Sequence, residues 1–335
     1  MTRLVLTRLL TGIITLFLTA FFVFFAVQAL PGDVATQLLG QDATPEAVET
    51  LRAQLGLDQN VWARFATWIG GVVTGDFGVS LVSGDPVAGS VWQAFGNTLL
   101  IAGPAIVVGV LGSILLGIWA ASKRGKTADT TISLLALIGM SIPEFVVATV
   151  LVLALAIAVP IFPAVVVEGP SAGLGDLLPA AILPAITLII SMAAYIVRAM
   201  RSSTIDGLAT EYATQAELKG AARRRVLWRH VSPTAVLPVL PIASINVAWL
   251  LGGVVVVESI FNYPGLGKLM LDSVSTRDLP VLQAIAVLSA LIYVVANLIS
   301  DLIALAVDPR IRTAGPARKV QEGKVHERKV QEVAQ

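Results

Sequence analysis

Residues 211–230 read EYATQAELKGAARRRVLWRH, a polar and arginine-laden stretch in a 335-residue chain that is 56% hydrophobic and only 13% charged. Composition on both sides of Gly220 is helical, and glycine adopts positive φ at little steric cost, so the pattern predicts two short helices joined by a sharp bend. The first holds Ala213, Ala216 and Leu218 among polar residues; the second, AARRRVLWRH, runs to Pro233. A bent pair of this kind would protrude from a membrane surface like a knuckle. Taken alone, Arg223, Arg224, Arg225 and Arg229 equally suit a basic helix held at the surface by anionic lipid.

The rest of the chain explains why a membrane is invoked. Charge this sparse cannot cover a soluble globule of this length, so composition specifies a membrane protein, and its long apolar runs make the expected fold all-α. A net charge of +1 lacks the basic excess of a nucleic-acid binder. With no cysteine and only His230 and His326, thiol chemistry and cysteine-based metal sites are excluded. Runs of about 20 apolar residues mark helices that cross a bilayer core. Six are expected, at about 9–30, 97–121, 130–152, 180–200, 236–258 and 282–306. The first follows Arg3 and Arg8 as a signal peptide would, but no small-residue cleavage site closes it, so it reads as a retained span.

Lys and Arg between the spans set the orientation. Nineteen fall in the amino end, the 122–129 loop, the 201–235 region with Arg198, and the tail; four fall in the 31–96, 160–178 and 260–280 loops. Both termini and the knuckle are therefore expected on the cytoplasmic side. The outer loop 31–96 carries seven acids. Within it, Thr44, Pro45 and Glu46 open a predicted helix, and Trp62, Phe65 and Trp68 at spacing three form one face of a second, lying at the interface or on the spans. The tail 313–335 repeats RKVQE, lacks an apolar stripe and is expected to be a disordered polar extension or a solvated helix.

Read position by position, the knuckle resembles the cytoplasmic loop of ABC-importer permeases, whose pattern is EAA, three residues, then Gly. In the dipeptide, oligopeptide and nickel branch it reads acid-Tyr-x-x-Thr-Ala-x-Ala-Lys-Gly, then a basic run and Arg-His. This chain matches at Glu211, Tyr212, Ala216, Lys219, Gly220, Arg229 and His230, and departs at Gln215 and Leu218. Over about residues 1–312 it is also similar at LPGD (30–33), ATPEAVETLRAQLGLD (43–58), GDFGVS (75–80) and NTLLIA (97–102). SIPEF (141–145), VVVVESIFNYPGLG (254–267), RDLPVLQ (277–283) and NLISDLIALAVDPRIR (297–312) continue the likeness.

The resemblance implies a type I importer permease fold in the bacterial inner membrane. It also implies a second related permease, ATPase subunits and an extracytoplasmic solute-binding protein as partners. ATP and Mg would be bound by the ATPases, with no cofactor or metal on this chain. Glu211, Tyr212, Ala213, Ala216, Lys219, Gly220, Arg224 and Arg229 would form the ATPase-coupling face. The small residues permit close approach, Tyr212 fills a pocket, and the charges orient docking. The chain's own glycines do not make a phosphate loop: Ala120 stands where GKT at 125–127 needs its first glycine, and Asn262 where GLGK at 265–268 needs it.

Ionisable or polar groups within spans are expensive and mark candidates. Glu144, counted as about 21 Å into the third span, reads either as a pathway residue meeting a peptide's amino end or as a carboxylate satisfied at the Pro143 bend. Asn246 lines the path or packs, and Glu258 belongs to an outer gate or simply ends a helix. Asn297 and Asp301 are expected to pin the sixth span to a neighbour, and Gly109, Gly112, Ser113 and Gly117 to pack the second tightly.

Peptide import is the function this reading favours, with nickel, glutathione or another small solute as alternatives within the branch. A secondary transporter would need paired broken helices, of which the sequence shows none, and buried ion ligands, for which Glu144 is the only deep acid; a membrane-anchored receptor leaves the knuckle unexplained. Deleting residues 314–335 should leave uptake by the assembled importer unchanged, as measured with radiolabelled peptide in vesicles.

Overall fold

The computed structural model describes residues 2–28, 36, 39, 44–54, 56, 58–167 and 172–307; the polar tail, LPGD at 30–33 and the end of NLISDLIALAVDPRIR lie outside these. All regular structure among them is helical. α1 is Thr2–Gln28, α2 Pro45–Gln54, α3 Val61–Thr74, α4 Val87–Ser122 and α5 Thr127–Ser141. α6 is Glu144–Ala158, π-helical from Leu153. α7 is Leu174–Leu208, α8 Glu211–Leu218, and α9 Arg223–Ala235, π-helical over Val226–Val231. α10 is Leu240–Ile260, α11 Leu266–Thr276 and α12 Leu279–Val307.

Four helices (α1, α4, α7 and α12) are long and apolar enough to cross a bilayer, and two bent pairs raise the number to six. A backbone without water must bond to itself, which is why the apolar segments are helical. Several boundaries differ from the apolar runs. α4 begins ten residues before the 97–121 run, and α7 extends the 180–200 run at both ends, so that 201–208 of the expected loop is helix. The 130–152 run is not one rod: it breaks at Ile142–Pro143, where α5 and α6 meet at 107°. Proline lacks the N–H that would continue the ladder, and the residue before it is pushed to extended backbone; Ile142 has φ −95°, ψ 125°. The second pair, Arg223–Ala235 and Leu240–Val247, bends by 58°. The sequence-based expectation of no broken helices is thus corrected.

α4 and α7 form the central pair. Gly109 lies against Met192 and Gly117 against Met200 and the Val197 carbonyl, whereas Gly112 faces open space and takes no part in the packing. At the end of the pair nearest the knuckle, Arg201 grips the nearly buried Asp129 (4% exposed) through Nε at 2.5 Å and Nη2 at 2.7 Å. Gly125 N–H adds a third bond to the same carboxylate at 3.0 Å. At that end too, Arg8 of α1 pairs with Asp301 of α12 at 3.0 Å. Asp301 thus pins two spans, while Asn297 only donates to Tyr293 of its own helix.

In the outer loop, Thr44 Oγ1 accepts from Ala47 N and Asn60 Oδ1 from Trp62 N, capping α2 and α3. Phe65 of α3 sits edge-on to Phe17, Phe21 and Phe24 of α1, and Trp68 joins Phe24, so this face packs on the first span. A leucine at Gly117 should destabilise the protein by about 1–3 kcal/mol through overpacking, whereas one at Gly112 should change it by under about 0.5 kcal/mol. Thermal unfolding of the purified protein in detergent checks both.

Candidate functional site

The knuckle is built as a folded-back extension of α7. Gly220 turns the chain at φ 84°, with Gly220 N–H bonding Glu217 O at 2.9 Å and Ala221 N–H bonding Ala216 O at 3.1 Å. α9 then returns along α7, burying Val226, Leu227 and Val231. Val231 packs so closely on Gly207 that a Cβ there would collide with it. Ser203 of α7 donates to Ala235 O at 2.7 Å, and the Tyr212 hydroxyl meets Thr234 Oγ1 at 2.9 Å. Displacement of the knuckle must therefore move the end of α7.

Of the expected coupling residues, Glu211, Tyr212, Lys219, Gly220, Arg224 and Arg229 are exposed and Ala216 is half-buried. Ala213 is different: at 2% exposed it packs into the protein's own core, so its small size serves the fold and it does not lie on an outward face. Leu218 stands 82% exposed beside the bend. In the sequence it departs from the branch pattern, as Gln215 does, on the face that the resemblance assigns to docking.

A cavity of about 730 Å³ opens at the α5–α6 break and is walled by α7 and α10. Glu144 and Asn246 both line it, although they are 102 positions apart in the sequence. The helix break, not a continuous rise along one rod, brings Glu144 there. Its carboxylate lies against Gly253 of α10, where any side chain would collide with it. Gly253 is thirteen residues along α10, about 20 Å from its start at 1.5 Å per residue. Trp249, 80% exposed, stands at the mouth of the cavity.

Glu258, the third path or gate candidate, does not line this cavity. It is fully buried (0% exposed) and receives three bonds: Thr98 Oγ–H at 2.6 Å, Gly267 N–H at 2.7 Å and Lys268 N–H at 3.1 Å. Thr98 in turn accepts from Leu266 N–H at 2.7 Å, and Asn97 donates to Pro264 O at 2.8 Å. The carboxylate thus caps the first turn of α11, where free N–H groups and the helix dipole favour an anion. This turn, GLGK in sequence, is already filled by the chain's own carboxylate. Side chains at Gly265 or Gly267 would strike Glu258 or the Val255 backbone. Burial together with the neighbouring Glu258 charge pushes the Tyr263 phenol up to about 12. Beside this turn, Ser80 donates to Asp278, which also takes Leu81 N–H at 3.2 Å. Replacing Glu258 with alanine leaves buried donors unsatisfied and should cost about 3 kcal/mol or more. The expected readout is a lower unfolding temperature with new proteolysis in the 258–268 turn.

Residues 113–313 match the family model "Binding-protein-dependent transport system inner membrane component", and residues 1–102 match "Binding-prot-dependent transport system membrane comp, N-term". The "Glutathione transport system permease protein GsiC" of Escherichia coli (strain K12) is 36% identical over 308 residues, 92% of this chain and 98% of that protein. The "Probable peptide ABC transporter permease protein y4tP" of Sinorhizobium fredii is 32% identical over the same shares. Among solved structures, the inward-facing MetNI methionine ABC transporter aligns with 66% of this chain and 96% of its own, at 18% identity and a TM-score of 0.47. With a family model spanning the broken cavity helix, the knuckle and the Glu258 turn, the chain belongs to the binding-protein-dependent transport system inner membrane components: it is a multi-pass permease subunit of an ABC importer.

Proposed function

We propose that this subunit carries peptides into the cytoplasm, forming half of a path completed by a second, related permease. The carrying observation is that one helix, α7, both walls the cavity holding Glu144 and Asn246 and ends in the knuckle. In this reading the knuckle and both termini face the cytoplasm, in accord with the Lys and Arg asymmetry. The knuckle seats in a separate ATPase that binds ATP and Mg, and a solute-binding protein delivers substrate to the opposite face. The chain supplies no hydrolysis of its own. Closure of the ATPases pushes α8 and α9, α7 follows, and the cavity alternates between the two sides.

Exposed polar and charged lining supports a path, since Glu144 and Asn246 at this depth are costly against lipid tails. A relative named for peptides and others named for glutathione, itself a tripeptide, support the substrate class. Glutathione is the second reading, favoured by the relatives that are 36% identical. Uptake of labelled dipeptide against labelled glutathione by the complete importer separates the two.

The ATPase contact is assigned to Leu218, Tyr212 and the exposed charges about them. Leu218→Asp alters an exposed side chain and leaves the knuckle's internal packing intact. It should reduce uptake and ATPase co-purification about tenfold or more, as losing an apolar anchor does, while the amount in the membrane stays constant. Normal uptake by this variant contradicts the coupling assignment.

A further inference from the structure

Several polar groups around the cavity have already spent a donor within their own helices. Ser141 Oγ–H donates to Leu137 O at 2.9 Å and Ser191 Oγ–H to Thr187 O at 3.1 Å, each within its own helix. Asn246 spends one N–H on Ile242 O at 2.8 Å. What these side chains leave to the cavity are oxygen lone pairs, beside three donors: the second Asn246 N–H, the Tyr195 hydroxyl and the Trp249 indole N–H.

Its backbone adds to the same sign. α5 ends at Ser141, and Pro143 has no N–H to give back. Among the described residues, the carbonyls of Gly139, Met140 and Ser141 receive no backbone hydrogen bond, and all three residues line the cavity. A helix C-terminus carries about half a negative charge. The opposite pole, the first turn of α6, carries Glu144 itself, whose negative charge repels a second anion there. Glu144 has no hydrogen-bond or ion-pair partner among the described residues, and no Lys, Arg or His lines the cavity. Phe145, Tyr195 and Trp249 expose ring surface there, which attracts cations through the ring quadrupole.

We propose that this cavity is a recognition site for a protonated amine, with Glu144 as its charge partner and the α5 carbonyls, Ser141, Ser191 and Asn246 as its remaining acceptors. The inference rests on the path reading above and deepens it: the permease itself, and not only a binding protein, selects solutes with a cationic amino group. Gly253 is the companion requirement, because a side chain there would displace the carboxylate from the wall of α10.

Since the chain has no cysteine, Ser191→Cys introduces a single reporter thiol into the cavity. In the assembled importer in vesicles, its modification is followed by the mass of this chain. Two thiosulfonate reagents are used, one with a trimethylammonium and one with a sulfonate group, each normalised to its reaction with a free thiol. The cationic reagent should react about tenfold or more faster, as clefts lined by one sign of charge concentrate the opposite ion. Glu144→Gln should bring the ratio close to one, and Glu144→Asp should restore it. A ratio that Glu144→Gln does not change overturns the inference and leaves the path reading standing. A thiol that neither reagent reaches, with or without nucleotide, overturns the path reading itself. A second measurement keeps Glu144 unaltered: glycinamide, a cation, should slow labelling of the same reporter thiol by N-ethylmaleimide severalfold, whereas neutral N-acetylglycinamide should not. Equal effects of the two overturn the proposal.

Discussion

The fork that Arg201 makes on Asp129 is the constraint on which the rest of the molecule depends. It joins the start of the broken α5–α6 element to the end of α7, about three helical turns before the knuckle begins. A planar guanidinium meets a carboxylate at two points and so fixes direction as well as distance. Gly125, at φ 77°, lets the short α4–α5 turn bring its own N–H to the same carboxylate. Three elements are thus tied at one nearly buried group. Because α7 also packs on α4 through Gly109 and Gly117, it has little freedom to bend or slide on its own. α9 packs on the end of α7, the same helix that walls the cavity.

A second knot secures the opposite end. GDFGVS meets RDLPVLQ through Ser80 and Asp278, and NTLLIA meets ESIFNYPGLG through Thr98 and Glu258. Motifs separated by roughly half the chain thus turn out to be contact partners. Glu258 satisfies the first turn of α11 at the point where Gly265 and Gly267 have surrendered their side chains to make room. Between the two knots lies the broken element, whose carboxylate and bare carbonyls face open space. Rigid ends and an open polar middle are what a path that alternates between two faces requires.

Much of this was legible in the residues. Apolar runs located the spans because water exclusion acts on each segment locally, and Gly220 located the bend because its conformational cost is local too. Thr44 capped the helix that its position announced. What escaped were properties that arise between segments. Pro143 foretold a disruption but not a 107° turn that would make Glu144 the start of a new helix beside Gly253. Asp129 looked like one more loop acid, since its partner lies 72 residues away. Ala213 read as outward-facing because alanine fits either a docking face or a core, and only the return of α9 decides between them. Glu258 read equally as a gate residue or a mere helix-end acid, because its sequence position says nothing of the helix whose N-terminus it will meet.

The central claim is that nucleotide events at the knuckle are mechanically transmitted to the cavity. It is tested most directly by placing a thiol at the cavity mouth, Trp249→Cys, and measuring its labelling rate in the assembled importer without nucleotide and with ATP trapped by vanadate. Mechanical transmission predicts a clear change in rate between the two states, and loss of that change when the knuckle carries Leu218→Asp. A nucleotide response that persists undiminished with Leu218→Asp would contradict it.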